Sequence, residues 1–365
     1  MIIEINALDT LFFRDGKPFS MGEETWANTV FPPPPSVIYG ALRSAYFANN
    51  IDELEKANQK GDLTKDLRIN GIFLKINNEV CFPLPLDCVK EKDNNKNESF
   101  VLSSKPTNNI ISNYPELEKI LNYPDNDKNS KIKNILDAIF SELDFKDYLK
   151  GNTNNIYYYK LNDFFISEPK MGIGRSSITH STEEGKLYRV DMRRLANKKN
   201  DNLFIVVKFE GIKIPEKGFL KLGGEGKAVS YKKYEGGIKI NFPEFEDKRF
   251  KLNLITPAIF NNGWLPEWID KSNFEGRYDG IKLKLLTVTI GKPISIGGFD
   301  MKNKKPKPMY KAVPAGSVYY FKLIDGKMEE VQKAFHQMAI SDVYPEQGFG
   351  IAYVGKVINP DEGSI

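Results

Sequence analysis

Four consecutive prolines, Pro32 to Pro35, constrain the N-terminal part of this chain more than any other feature. Proline lacks the N–H that a strand ladder needs, so no strand runs through them. Upstream, the apolar run Ile2–Leu8 reads as a strand and leads into Phe12-Phe13-Arg14-Asp15-Gly16-Lys17-Pro18-Phe19. Downstream, Ser36 is a good helix cap, and Val37, Ala41, Leu42 and Ala45 follow at helical spacing. The expected order is strand, proline-stiffened excursion, helix over Val37–Ala48. The excursion presents Arg14 and Lys17 from a rigid support, which is what a polyanion-binding surface requires.

At 365 residues the chain is long enough for two domains with real cores. Lys and Arg outnumber Asp and Glu by only 52 to 48, so any nucleic-acid surface is a local patch rather than a polybasic tail. Cys81 and Cys88 have no further ligands beside them, so no metal site is expected; they read as one buried strand thiol and one loop thiol in a reducing compartment. The N-terminus lacks the charged and apolar regions of a signal peptide, and no apolar run approaches a membrane span. A cytoplasmic protein without membrane or cofactor is expected.

Strand-like runs recur at Ile2–Leu8, Leu67–Ile76, Leu203–Glu210, Ile238–Phe242, Phe250–Ile255, Ile281–Ile290 and Val318–Leu323. Helical patterns cover Val37–Ala48, Lys131–Leu149 and Lys327–Ile340. This mixture predicts an α+β fold rather than a doubly wound sheet. Residues 90–155, with Asn/Lys/Asp clusters at 94–97 and 125–129, read as an insertion with flexible tips around a helix. A boundary near 196–202 divides the chain into halves 1–199 and 200–365, compatible with a duplicated small α+β module.

Four glycine-framed blocks follow. Gln347-Gly348-Phe349-Gly350 enters a strand; its alternating glycines either make a tight packed turn or free N–H groups for anions. No Gly-Lys-Ser/Thr follows, so it is not a phosphate loop of the Walker type. Lys221-Leu222-Gly223-Gly224-Glu225-Gly226-Lys227 is a hairpin turn or a second anion-facing loop. Residues 172–190 read as a long hairpin turned at Gly185, whose mobile tip holds Arg175, Ser176, Ser177, Thr179 and His180 beside Ile173. Past Gly297-Gly298-Phe299-Asp300, the run Lys302–Lys311 has five lysines and no acid, among them Lys304, Lys305 and Lys307. Pro306 and Pro308 would keep it extended, either as a solvated face or as a phosphate-tracking edge. Enzyme chemistry finds little support: His180 and His336 are the only histidines, and no nucleophile elbow is present. His180 on a flexible tip is a general-base candidate for RNA cleavage, and His336 reads as structural or surface.

Leu8-Asp9-Thr10-Leu11-Phe12-Phe13-Arg14-Asp15-Gly16, Phe31-Pro32-Pro33-Pro34-Pro35-Ser36 with Gly40-Ala41-Leu42-Arg43, Gly185-Lys186-Leu187-Tyr188, Gly297-Gly298-Phe299-Asp300, Pro314-Ala315-Gly316-Ser317-Val318-Tyr319 and Gly348-Phe349-Gly350 occur in this order. Together they resemble the third-subunit family of the Cmr complex, a type III-B CRISPR effector within the RAMP superfamily. The resemblance implies two ferredoxin-like (RRM-like) domains side by side, with a protruding β-hairpin and an inserted helical/loop segment. It implies a non-catalytic RNA-binding subunit that holds the 5′ tag of the guide RNA and meets target RNA. Its partners would be the large cyclase/polymerase-like subunit and the first backbone RAMP subunit. Expected RNA-binding positions are Arg14, Lys17, Arg43, Arg175, Lys221, Gly223, Gly224, Lys227, Lys304, Lys305, Lys307, Gly348 and Gly350. Ile173, Arg175, Thr179 and His180 would form a thumb that wedges the guide–target duplex. The alternative is a RAMP endoribonuclease that processes guide precursors, which shares the fold and the glycine loop.

Overall fold

The computed structural model describes residues 1–14, 26–27, 29–107, 112–123, 131–152, 155–195, 201–300 and 305–357. The elements that carry the argument are, in chain order, β1 (Ile2–Ala7), α1 (Pro35–Asn49), β2 (Arg68–Ile76), β3 (Glu79–Pro83), β4 (Ala138–Ser141), α2 (Glu142–Lys150), β5 (Ile166–Arg175), β6 (Thr182–Arg194), β7 (Leu203–Glu210), β8 (Lys217–Lys221), β9 (Ala228–Lys233), β10 (Arg249–Leu254), β11 (Ile281–Thr289), β12 (Val318–Asp325), α3 (Met328–Phe335) and β13 (Ile351–Lys356). The fold is α+β and mostly antiparallel sheet, as expected from the sequence.

Contacts divide the chain into two compact units, each assembled from three stretches. The first comprises 1–77, 162–235 and 294–311. Five of its strands lie in the order β2-β7-β1-β9-β8, with antiparallel neighbours. β1, α1 and β2 form a crossover with β7 inserted between the two strands, and β9 flanks β1 on its other side. That is the ferredoxin-like order, with β8 and a glycine loop standing where the second helix would be. Alternation in β1 sets its faces: Ile3 and Ile5 are buried, and the register pairs Ile3 with Val207.

The second unit comprises 78–161, 236–293 and 312–365. Its central strands run β11-β12-β10-β13, again antiparallel. This is a second ferredoxin-like order, keeping α3 and replacing the first helix with irregular chain after β10. Val331, Ala334 and Phe335 of α3 are buried, and Phe335 packs toward the Phe250 ring at 6.3 Å. Trp264, Trp268 and Phe274 supply the apolar cover that the missing helix would give. The two units do not coincide with the sequential halves 1–199 and 200–365.

Several local expectations are corrected. The prolines do not stop at a Ser36 cap: α1 begins two residues before the expected Val37, at Pro35, and no side chain caps it. Proline suits the first helical position because its missing N–H would be unpaired there anyway. Ile238–Phe242 is irregular, with Ile240 and Ile238 buried outside any sheet. The pattern at Lys131–Leu149 hides a strand pair before the helix: Ile132–Asn134 and β4 come first, and α2 starts only at Glu142. Ala138 to Ser141 are all buried and β4 pairs with β3, so two-sided burial outweighs helical spacing there. The Ser141 hydroxyl caps α2 by accepting from the Asp144 N–H at 3.0 Å. α3 ends at Phe335, and Met338–Ala339 pairs with β13 instead of continuing the helix.

The inserted segment holds one helix, α2, but most of its regular structure is strand. Ile156–Tyr157, Glu98–Val101, Cys88–Glu91 and Ile132–Asn134 form one small sheet in that order. Residues 124–130 lie outside the described part, while Asn94 makes an ordered turn, accepting from the Lys96 N–H at 2.8 Å. Cys88 is a buried strand residue, not a loop thiol, and both cysteines are free and buried. Asp87, just before that strand, is fully buried. Its carboxylate accepts from the hydroxyls of Tyr148 at 2.7 and 2.8 Å and Tyr320 at 2.5 Å, and from Lys251 Nζ at 3.4 Å. The Lys251 ammonium also lies 3.4 Å from the Tyr148 ring centre. Burial pulls the Lys251 pKa down, against the opposing pull of Asp87.

Candidate nucleic-acid interface

β5 and β6 form an antiparallel hairpin paired from Ile166–Arg194 out to Arg175–Thr182. β6 runs straight through Gly185, so the turn lies at 176–181 rather than at that glycine. The turn is held by its own backbone: the Ser176 N–H donates to Ser181 O at 3.0 Å and the His180 N–H to Ser176 O at 3.0 Å. His180 sits at φ 56°, and Arg175 Nε donates to its carbonyl at 2.7 Å. The Thr179 hydroxyl shares a hydrogen bond of 2.7 Å with Ser181. The tip is thus closed by hydrogen bonds of its own.

Gly172 and Gly174 are seats rather than hinges. A Cβ on Gly172 would fall 2.1 Å from the Tyr188 ring, and one on Gly174 would fall 2.5 Å from the Lys186 side chain. Tyr188 and Lys186 thus lie flat across the glycine face of the hairpin. The other face alternates Met171, Ile173 and Leu187, all exposed, and the turn adds Ile178, which is 89% exposed. Sequence reading found Ile173 but missed Met171, Ile178 and Leu187; their period-two spacing in an otherwise polar hairpin was the available signal.

The hairpin base is anchored. Leu11 and Arg193 exchange backbone hydrogen bonds of 2.7 and 2.8 Å, and Phe12, Val190 and Met192 form a small buried cluster with Tyr188 against it. The Arg193 guanidinium lies 4.5 Å from the Phe165 ring centre. Arg194 donates to Glu168 at 2.8 Å.

The glycine loop docks on the same base. Gly223, Glu225 and Gly226 have φ of 81°, 58° and 63°. The Gly224 N–H donates to Phe12 O at 2.8 Å, and a Cβ on Gly223 would meet that carbonyl at 2.4 Å. Glycine at 223 is required both by φ and by this close approach. The Gly224 N–H is spent inside the protein and does not point at an anion. Lys227 is likewise committed: its ammonium pairs with Asp9 at 2.5 Å. The hydrogen bond from Lys227 holds the Asp9 carboxyl down to about 2. Lys221 is exposed.

The remaining expected positions scatter. Arg14 is exposed beside a bridge to Thr29. Arg43 is a structural clamp, donating to Asp62 at 2.6 Å, Thr64 at 2.7 Å and Asn58 at 3.1 Å. Burial of Asp62 acts to raise its pKa, but hydrogen bonds from Thr64 and Asn58 and the Arg43 charge hold it below the ordinary value. Lys17 and Lys304 lie outside the described residues. Lys305 and Lys307 are exposed, yet Lys305–Pro306 folds back to pair with Phe299–Asp300, and the Lys307 N–H donates to Gly298 O at 2.9 Å. Among the described residues of the run, Lys305 and Pro306 therefore belong to a paired strand and not to a free edge.

Gly348 and Gly350 correct the sequence reading most sharply, because both are buried. The Gly348 N–H donates to Pro345 O at 3.0 Å and the Gly350 N–H to Pro257 O at 2.7 Å. With their donors spent and solvent excluded, they form a packed turn and cannot cradle phosphate. His336 is structural: its Nε2 lies 2.9 Å from Ile240 O, and Nδ1 accepts from the Val354 N–H at 3.3 Å. Burial lowers its pKa and keeps the ring neutral. Among the described residues, no group of three or more His, Cys, Asp or Glu could hold a metal, and no helix is long and apolar enough to cross a membrane.

Two ferredoxin-like orders, a long hairpin and a glycine loop seated at its base define a RAMP-like protein. The family model described as CRISPR-associated protein (Cas_Cmr3) matches residues 3–357, and the chain belongs to that family. A chain from the Type III-B Cmr-beta complex bound to cognate target RNA is similar in fold, with a TM-score of 0.50 and 18% identity over 88% of this chain and 86% of that one. The same complex bound to cognate target RNA and AMPPnP gives 0.49 at 18% identity, with coverage of 88% and 86%. A chain of the Csm3-Csm4 subcomplex of the type III-A interference complex gives 0.39 at 14% identity, covering 98% and 99%. No curated relative matches the chain.

Proposed function

We propose that this protein is a non-catalytic RNA-binding subunit of a type III-B effector complex, holding the 5′ tag of the guide RNA and bridging the large subunit to the first backbone RAMP subunit. Family membership supports the complex, and the hairpin carries the RNA role. An anchored hairpin that exposes Met171, Ile173, Ile178 and Leu187 has the form of an apolar wedge. Such a wedge inserts beside a base step of the guide–target duplex and displaces a nucleotide. Unstacking costs a few kcal/mol, offset by backbone contacts. Arg175 and Arg189 supply cations along the hairpin for those contacts, while Lys186 pairs with Glu183. The processing-enzyme alternative would need His180 as its base. His180 stands at the exposed turn, and no side-chain hydrogen bond orients its ring among the described residues.

The test joins Gly172 directly to Tyr188 through a short Gly/Ser turn, removing Ile173–Leu187. In the complex assembled with its partner subunits, guide retention should stay near wild type. Chemical probing should lose the reactive target base near the guide's 5′ end. Unchanged target reactivity in an intact complex would sink the wedge.

A further inference from the structure

The antiparallel sheet of the first unit has one buried face, carrying Ile3, Ile5, Val229, Tyr231 and Leu220. Its other face is open at the β8 edge. There Phe219 is 72% exposed, with Lys217 and Lys221 two positions away on either side. Register sets Phe219 opposite Ser230, Lys217 opposite Lys232 and Lys221 opposite Ala228, and Ser230 opposite Asn6 on the next strand. Asn6, Ala228 and Lys232 are exposed as well, so the ring stands over small and polar neighbours. Gly218 helps to fix this arrangement, since the Tyr231 ring packs within 3.0 Å of where its Cβ would be, on the buried face.

Charge on this edge is unbalanced. Lys217 and Lys221 have no ion pair among the described residues. Of the nearby acids, Glu4 is engaged with Lys75 at 2.7 Å and Lys232 at 3.2 Å and Glu216 with Lys233 at 2.9 Å, while Glu225 lies in the loop beyond Lys221, where its charge acts on Lys227. Lysines alone on an edge strand guard against strand-to-strand aggregation. That purpose disfavours a large uncovered aromatic between them, so the pattern Lys217-Gly218-Phe219-Leu220-Lys221 asks for another account. Successive same-face positions on a strand lie about 7 Å apart. This places a π-face between two mobile cations, the arrangement with which sheets hold single-stranded nucleic acid.

We propose that this edge is a stacking platform for single-stranded RNA, with one base on Phe219 and the flanking phosphates on Lys217 and Lys221. The inference takes its ligand class from the RNA-binding reading but uses no residue of the hairpin. The probe is a short labelled oligouridine, titrated by anisotropy into the purified full chain. Phe219→Ala should weaken binding about tenfold, the loss of one stacked base, and Phe219→Trp should restore it. Replacing Lys217 and Lys221 by Gln should lower the salt slope by about 1.4. Circular dichroism of each variant should match wild type, because Phe219 is exposed. The hairpin-truncated chain separates the two ideas. If truncation abolishes binding and Phe219→Ala does not change it, the platform is overturned and the hairpin reading stands. If Phe219→Ala weakens binding with or without the hairpin, the platform stands on its own. A wild-type chain that ignores oligouridine, or a Phe219→Ala chain that loses a partner subunit but no RNA affinity, overturns the platform.

Discussion

At Gly350 the backbone sits at φ 71°, and a Cβ would come within 2.7 Å of the Ser341 N and 3.0 Å of its Cβ. Either condition alone disfavours a side chain; together they leave no room to relax. Gly350→Ala should therefore destabilise the protein by more than about 1 kcal/mol, read as a lower denaturant midpoint with unchanged slope. A variant as stable as wild type would mean that this turn is far softer than its packing indicates. Gly223 shares the same physics, with the Phe12 carbonyl as its obstacle. In the sequence both clusters look alike: glycines beside a strand. Burial and spent N–H groups tell a packed turn from an anion loop, and both depend on distant partners such as Pro257 and Phe12.

Between elements, Asp87 joins three neighbours at once. It fastens the strand Cys88–Glu91 to α2 through Tyr148, to β12 through Tyr320 and to β10 through Lys251. Removing one partner of a buried pair leaves an uncompensated charge. Asp87→Ala should cost about 3–5 kcal/mol, whereas adding Lys251→Met to it should recover much of that loss. Denaturant unfolding of both singles and the double gives the coupling directly. Additive losses would show that the ammonium finds solvent in the absence of Asp87. No local pattern in Pro85-Leu86-Asp87-Cys88 announces this network.

The two units interleave along the chain, and this decides what can fold alone. β1 pairs with β7 on one side and β9 on the other, and both lie beyond residue 199. A fragment of residues 1–199 keeps β1, α1 and β2 but loses the strand that joins β1 to β2. Ile3 and Ile5 then have no sheet to bury them. The fragment should lack a cooperative thermal transition and cluster as an unfolded or aggregating species. A sharp transition with dispersed amide resonances would restore the sequential halves as independent domains.

Periodicity and turn chemistry alone determined a good deal of this protein. β1, β2, β7, β10, β11 and β12 lie where alternating or continuous apolar runs place them, and α1 lies where proline punctuation and helical spacing agree. The blocks Leu8–Gly16 and Pro314–Tyr319 were specific enough to indicate the family, because proline fixes φ and glycine alone readily takes positive φ, so each marks a particular backbone path. What needed tertiary structure was the fate of polar and glycine residues. Whether Arg43 or Lys227 offers its charge outward depends on Asp62 and Asp9, which are remote or ambiguous in sequence. Whether Phe219 is core or exposed depends on which face of β8 is covered: Leu220, on the opposite face, is buried, and Phe219 is exposed. Covalent order restricts φ and ψ locally, but exposure and ion pairing are properties of the assembled neighbourhood.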